Sequence, residues 1–226
     1  MTNNLPFNPF TVTLDRSELL AALEATAPMV DKNKYSAHAS LRNVALAVLD
    51  DNGKRTLMTA ATNQYCAGKY VMDYDRLNFE GEGDSNIELT PDGVKAMIAA
   101  LKQVKLECLA ALTVKRGEIT LDVAGTVVKL MEGTAWNLAE QALGARKLGK
   151  LFENLPTDAK AGAFNPDYMS TVLKAGKAGL RAKFGAKEAK STPIVITTDV
   201  TKPAQFTVKS DYFGWDAILM PMRMPS

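Results

Sequence analysis

The sequence predicts an α+β protein built from a repeated strand–helix–three-strand unit, with helices on one face of antiparallel sheets. Three observations lead to this prediction. Short segments alternate apolar and polar residues, as half-buried strands do. Segments with helical spacing of apolar residues start at recognisable caps. The order of these segments recurs along the chain, which indicates an internal repeat.

The first unit begins with a strand over residues 10–14. A helix follows, which Asp15 or Ser17 can cap and which Pro28 ends. The turn sequence Asn52-Gly53 favours a hairpin between the next two strands, because both residues tolerate positive φ. The three predicted strands of this unit cover residues 40–49, 56–62 and 67–74.

The second unit repeats this order. Residues 78–86 are typical of a linker, and a short strand over 86–90 follows. Thr90 caps the next helix, and Pro91 occupies its first position, where the missing N–H removes no helical hydrogen bond. Alternating strand segments then cover residues 107–115 and 118–131.

A third unit follows residues 132–160, which fit the repeat poorly. Within them, residues 133–154 are predicted to be partly helical. Asn165 caps a helix with Pro166 at its first position. A basic stretch that contains glycines, 174–190, separates this helix from the last strands. Those strands are predicted over residues 193–198, 204–209 and 213–223.

Composition restricts the function of the 226-residue chain. Its formal net charge is only +2, so any contact with nucleic acid depends on how the charges are distributed. No apolar run is long enough to cross a membrane, and the N-terminus lacks the pattern of a signal peptide. We therefore expect a cytoplasmic protein that makes no contact with membranes.

Residues that commonly carry catalysis or bind metals are sparse. His38 is the only histidine, and the isolated Cys66 and Cys108 form no zinc or redox motif. Asp73 and Asp75 share a strand face, but no further acidic residue accompanies them. We expect no catalytic residue, no metal and no cofactor. A nuclease is the alternative, and metal-dependent activity lost with either aspartate would support it.

The C-terminal sequence LMPMR, residues 219–223, resembles the last strand of bacterial beta-type DNA sliding clamps. In that family a Thr-Asp or similar pair follows the third strand, and here Thr62-Asn63 takes that place. Other segments that resemble the family are SELLAAL from Ser17, SLRNVALAV from Ser40, LMTAATN from Leu57, LTPDGVKAMI from Leu89 and FNPDYMSTVL from Phe164.

The resemblance implies a ring with helices inside and sheets outside. Beta clamps carry three domains and dimerise, whereas this chain has room for two. We predict a clamp domain of two units over 1–131 and a second domain over 132–226 whose first unit is degenerate. Six domains per ring then imply a homotrimer. The small size suits a phage-encoded clamp, which would act in the host cytoplasm.

The implied function is that of a polymerase processivity factor. Such a clamp encircles double-stranded DNA, docks peptides of the replicative DNA polymerase and needs a separate clamp loader, but no cofactor of its own. The alternative is a monomeric clamp-like protein that binds replication or transcription partners without encircling DNA. The missing fourth unit favours that alternative, and the oligomeric state discriminates between the two.

Basic residues are concentrated in one part of the chain, because residues 141–190 hold ten cations and four acids. Contacts to phosphates need no sequence readout, and exposed lysines suit them. Solvation of exposed helix faces is the alternative for each lysine. The predicted DNA-binding residues are Lys32, Lys34, Lys95, Lys102, Arg146, Lys147, Lys150, Lys174, Lys177, Arg181 and Lys183.

A groove for partner peptides is predicted at the C-terminus. Methionine side chains adapt to varied apolar partners, and the resemblance assigns a groove to this strand. The alternative is that the strand belongs to the core. Trp136 and Leu138 are candidates for the opposite wall. The predicted groove residues are Leu219, Met220, Pro221, Met222 and Arg223.

Overall fold

The computed structural model describes residues 8–33, 39–51, 54–72, 77–81, 83, 85–105, 107–115, 118–131, 164–198, 203–208 and 212–221. The helices in these ranges are α1 (Arg16–Thr26), α2 (Pro91–Gln103) and α3 (Pro166–Ser191), and two 3-10 turns cover Ala27–Met29 and Ala39–Arg42. The strands are β1 (Phe10–Asp15), β2 (Val44–Asp51), β3 (Lys54–Thr62), β4 (Cys66–Met72), β5 (Asn78–Glu80), β6 (Ser85–Leu89), β7 (Leu109–Lys115), β8 (Glu118–Val123), β9 (Thr126–Met131), β10 (Ile194–Thr197), β11 (Ala204–Val208) and β12 (Trp215–Leu219).

The first two units exchange their opening strands. One sheet has the order β5-β1-β7-β8-β9, and the other has the order β10-β11-β12-β4-β3-β2-β6. Strand β1 of the first unit pairs antiparallel with β7 of the second, and β6 of the second unit pairs with β2 of the first. Each unit therefore completes the sheet of the other, and the two fold together.

The third unit continues the sheet of the first. Strand β12 pairs antiparallel with β4, from Trp215 opposite Tyr70 to Leu219 opposite Cys66. Helix α3 packs against α1 and also contacts β12 and β4. The third unit is therefore joined to the first through both the sheet and the helices.

The helices form one layer on the sheets, with α1 between α2 and α3. Leu19, Ala21, Leu23 and Ala25 of α1 have no exposed surface. A helix that is apolar around most of its circumference is expected in such a central position. Helix α2 packs on β8 and β9, while α1 packs on β3 and β4. This arrangement confirms the predicted α+β class.

Two glycines allow α3 to approach its neighbours closely. A Cβ atom at Gly176 would lie 2.7 Å from the ring of Trp215, and one at Gly179 would lie 2.8 Å from the Cβ of Ala25. The Trp215 indole Nε1 donates a hydrogen bond to the carbonyl of Ala25 at 3.2 Å. The contact between the third unit and α1 therefore depends on the absence of side chains at these two positions.

Replacing Gly179 with valine is expected to lower the free energy of unfolding by roughly 1–3 kcal/mol, because the new side chain overpacks the α1–α3 contact. Urea denaturation followed by circular dichroism measures this change. Ala186→Val is the matched control, since Ala186 is exposed on the same helix. Equal losses in both variants would contradict a role for close α1–α3 packing.

The predicted helix caps are confirmed in α2 and α3. The hydroxyl of Thr90 accepts a hydrogen bond from the Gly93 N–H at 3.1 Å. The side-chain oxygen of Asn165 accepts one from the Asp167 N–H at 2.9 Å. Asp15 occupies the position before α1 but makes no side-chain capping bond.

Several predicted boundaries were wrong. The stretch 174–190 is helical and belongs to α3, which contains a kink at Gly185. Residues 118–131 form two strands joined by a turn at Ala124-Gly125, where both residues have positive φ. The predicted linker 78–86 contains β5 and the start of β6. The strand predicted from residue 40 begins at Val44, after a 3-10 turn.

Other predictions fall outside the described residues: the Asn52-Gly53 turn, His38, Asp73, Asp75 and residues 132–163. The domain boundary at residue 131 therefore stays a prediction. Among the described residues, no helix is long and apolar enough to cross a membrane. The same residues contain no group of three or more histidine, cysteine or acidic side chains that could hold a metal ion.

Candidate nucleic-acid face and partner cleft

Exposed cations flank the buried central helix on both sides. Lys95 and Lys102 are exposed on α2, and Lys174, Lys177 and Arg181 are exposed on α3. Residues three, four and seven apart share one face of a helix, so each helix presents its cations as a row. The helix layer therefore carries two rows of positive charge directed away from the sheets.

Both cations of α2 form ion pairs. Lys95 Nζ lies 3.3 Å from the Asp92 carboxylate, and Lys102 pairs with Glu24 of α1. The Lys95 side chain is 78% exposed and that of Lys102 is 56% exposed. The Lys95–Asp92 pair is exposed on both sides and contributes little free energy, so the Lys95 ammonium can exchange its partner for a phosphate, whereas the Glu24 partner of Lys102 is only 15% exposed.

The structure corrects the prediction for Lys183. Its ammonium lies 2.5 Å from the Glu18 carboxylate, and both side chains are only 8% exposed. It also donates to the carbonyl of Tyr212 and, at 3.4 Å, to the Tyr70 hydroxyl. Lys183 is thus part of a buried network between α1, α3 and β4 and does not belong to the exposed rows.

The remaining predicted cations lie elsewhere. Lys32 is exposed in the loop after α1 and therefore belongs to neither helical row. Lys34, Arg146, Lys147 and Lys150 lie outside the described residues.

The groove residues predicted at the C-terminal strand differ in burial. Leu219 is fully buried in β12, which runs between β11 and β4, so its side chain lines no groove. Met220 is 44% exposed, and Pro221 is half-buried. Met222, Arg223 and the proposed wall residues Trp136 and Leu138 lie outside the described residues.

Met220 lies beside a cleft of about 500 Å³ between the first and third units. Its N–H donates a hydrogen bond to the carbonyl of Tyr65 at 2.9 Å, and Tyr65 lines the cleft. The Tyr65 ring stacks on the ring of Tyr168, from the first turn of α3, with centroids 5.1 Å apart. We call this space, lined by the loop 30–33, the turn 63–65 and the start of α3, the partner cleft.

The turn that presents Tyr65 is held by hydrogen bonds within the chain. The Asn63 side-chain oxygen accepts the N–H groups of Tyr65 and Cys66 at 3.0 and 2.9 Å. The Thr62 hydroxyl accepts the N–H of Gln64, whose φ of 78° is in the left-handed region. Tyr65 therefore stays 54% exposed on a fixed backbone.

Loss of solvation raises the pKa of two side chains at or next to the partner cleft, Cys66 and Tyr168. Loss of solvation raises the pKa of the Cys66 thiol to about 11, although a hydrogen bond with Asn63 opposes the change. Loss of solvation and then the neighbouring Tyr65 raise the pKa of the Tyr168 hydroxyl. Cys66 is therefore a neutral packing residue, and Tyr168 presents a neutral phenol at pH 7.

Sequence analysis missed both tyrosines of this cleft. Tyr65 follows the segment LMTAATN, which resembles the clamp family, by two residues, and Tyr168 lies within the resembling segment that starts at Phe164. An aromatic residue at the tip of a tight turn was the available signal, because a large exposed ring commonly marks a contact surface.

Comparison of the sequence with protein-family profiles and with curated proteins gives no match. Solved structures do match. A DNA polymerase sliding clamp from Pseudomonas aeruginosa has a TM-score of 0.65 at 12% identity, over 99% of this chain and 70% of that one. The sliding clamp from Bacillus subtilis has a TM-score of 0.65 at 11% identity, over 95% of this chain and 64% of that one.

A protein with a shorter chain than the bacterial clamps also matches. The structure of A. fulgidus PCNA with the C-terminal region of FEN-1 has a TM-score of 0.63 at 10% identity. That match covers 96% of this chain and 100% of the PCNA chain. The chain thus spans about two thirds of the length of the bacterial clamps and all of PCNA. These likenesses, together with the exchanged strands and the single helix layer, show that the chain has the DNA sliding-clamp fold.

Proposed function

We propose that this protein is a DNA sliding clamp that serves as a processivity factor for a replicative DNA polymerase. It encircles duplex DNA and docks polymerase peptides in the partner cleft. The observation that carries this proposal is the pair of exposed cation rows on the helix layer of a clamp fold. The protein acts by binding and needs no catalytic residue.

The cation rows suit contacts that hold DNA without fixing the protein to one site. Duplex DNA carries one phosphate charge per roughly 1.7 Å of its axis. Lysine ammonium groups on long side chains attract these phosphates without reading bases. A ring held in this way moves along DNA and raises the effective concentration of a bound polymerase near the primer end.

The predicted division into two domains supports a homotrimer, and such a ring would need a separate clamp loader to open it. The full coverage of the PCNA chain supports the same size class. The alternative, a monomeric clamp-like protein that binds partners without encircling DNA, is favoured by one observation. The sequence of residues 132–160, where the fourth unit is expected, fits the repeat poorly.

Light scattering across a concentration series decides between these two functions. We expect a mass near three times the 24.4 kDa of one chain, independent of concentration over the micromolar range. A closed ring predicts in addition that the loaded protein stays on circular DNA and leaves linear DNA through its ends. A monomer at every concentration would contradict the ring and support the monomeric alternative.

Replacing Tyr65 with alanine is expected to weaken polymerase binding at least tenfold, because a large ring at the centre of a contact commonly dominates its affinity. Removal of residues 220–226, which include Met220, is expected to abolish binding. Surface plasmon resonance with the purified cognate polymerase measures both effects. Tyr212→Ala is the matched control, since Tyr212 is 59% exposed and does not line the partner cleft. Unchanged affinity in the Tyr65 and truncated variants would remove the cleft from the proposal.

A further inference from the structure

A second cleft lies on the other side of the loop that borders the partner cleft. Its volume is about 490 Å³, within the usual range for ligand pockets. Val30 of the loop, Val44 at the start of β2 and Val94 and Ile98 of α2 supply an apolar lining. We call this space the second cleft.

Positive charges surround the second cleft. Lys32, Arg42 and Lys95 line it, Asp31 is the only acidic residue among the described lining residues, and Asp92 pairs with Lys95 beside it. Lys32 and Lys95 are exposed at its rim. An apolar floor with an excess of cations is complementary to an apolar side chain that has carboxylates beside it.

The second cleft is continuous with the partner cleft. Both are lined by Val30, Asp31 and Lys32, so only this loop separates them. The Asp31 N–H donates to the carbonyl of Leu41 at 2.7 Å, and the Asp31 carboxylate accepts the Asn33 N–H at 2.9 Å. A partner chain that leaves the first cleft has to cross only one loop, which these hydrogen bonds hold in place.

We propose that the second cleft is an extended docking site of the partner cleft and takes an apolar side chain flanked by acidic residues of the same partner. This inference rests on the proposed function, because it assigns the occupant to the partner that docks beside Met220. Duplex DNA is a poorer occupant. Phosphates can use the cations, but they leave the apolar lining formed by Val94 and Ile98 without a partner.

The test uses the full chain and a fluorescent ten-residue peptide with a Leu-Phe pair between glutamates, followed by anisotropy without DNA. Lys95→Glu is expected to weaken binding of this probe roughly fivefold, through loss of one attraction and gain of one repulsion. Ile98→Ser is expected to weaken it by a similar factor. Lys105→Glu is the control, since Lys105 is exposed after α2 and does not line the second cleft.

The outcomes separate this inference from the proposed function. If Lys95→Glu weakens binding of the probe and Tyr65→Ala does not, the result supports the second cleft. This holds whatever the polymerase experiment shows. Binding lost only with Tyr65→Ala places the probe in the partner cleft and overturns the second cleft while the proposed function stands. The inference is likewise overturned by no binding or by equal binding of a probe with lysines in place of glutamates.

Discussion

Replacing Lys183 with methionine is expected to lower the free energy of unfolding by about 3–5 kcal/mol, the usual effect of breaking a buried ion pair. The Glu18 carboxylate then stays buried without its counterion, 2.5 Å away in the native protein. The hydroxyl of Tyr70, which donates to Glu18 at 2.9 Å, cannot neutralise its charge. Urea denaturation at pH 7 measures the loss.

A double variant shows whether the charge is the cause. Adding Glu18→Gln to Lys183→Met removes both charges, so we expect it to recover most of the lost free energy of unfolding. Lys187→Met is the control, since Lys187 is exposed on the same helix and is expected to change stability by less than about 0.5 kcal/mol. A double variant no more stable than Lys183→Met would show that packing of the lysine stem matters more than its charge.

This ion pair has a consequence for the arrangement of the units. Glu18 belongs to α1, Tyr70 to β4 and Lys183 to α3, so the network connects the third unit to the first at a buried point. Trp215 and Gly179 make a second such connection through α1. Because the partner cleft lies between the same two units, variants that loosen this contact are expected to weaken partner binding as well.

Local signals were sufficient for much of the fold. Caps at Thr90 and Asn165 were predicted correctly because they depend on residues within one helical turn. The exchange of β1 and β6 between units was not predicted. Thr11 of β1 lies opposite Thr113 of β7, and no local pattern specifies a partner about a hundred residues away.

The candidate site, too, could be predicted only where local sequence was sufficient. Met220 was predicted from its own segment, but Tyr65 and Tyr168 reach it only through pairing of β12 with β4 and packing of α3. Lys183 was predicted to face DNA because the cations were counted along the chain. Its position, two residues beyond Arg181, places it about 200° further around the helix and therefore on the buried side.

Reversing the charges of Lys174, Lys177 and Arg181 to glutamate is expected to weaken binding to duplex DNA by on the order of 100-fold at about 0.1 M salt. The three side chains form one exposed row on α3, so the variant replaces three attractions for phosphate with three repulsions. The slope of log affinity against log salt is expected to become shallower by roughly three, because each lost phosphate contact releases about one counterion fewer. Fluorescence anisotropy with a labelled duplex over a salt series measures both quantities.

A control with the same change in net charge separates the row from the overall charge. Lys54, Lys115 and Lys129 are exposed on strands β3, β7 and β9, not on the helix layer. Reversing these three also lowers the net charge by six, but we expect it to weaken DNA binding less than tenfold and to leave the salt slope nearly unchanged, because no phosphate contact is lost. Equal weakening in the two triple variants would mean that DNA responds to net charge alone, and the helix layer would lose its assignment as the DNA-facing surface.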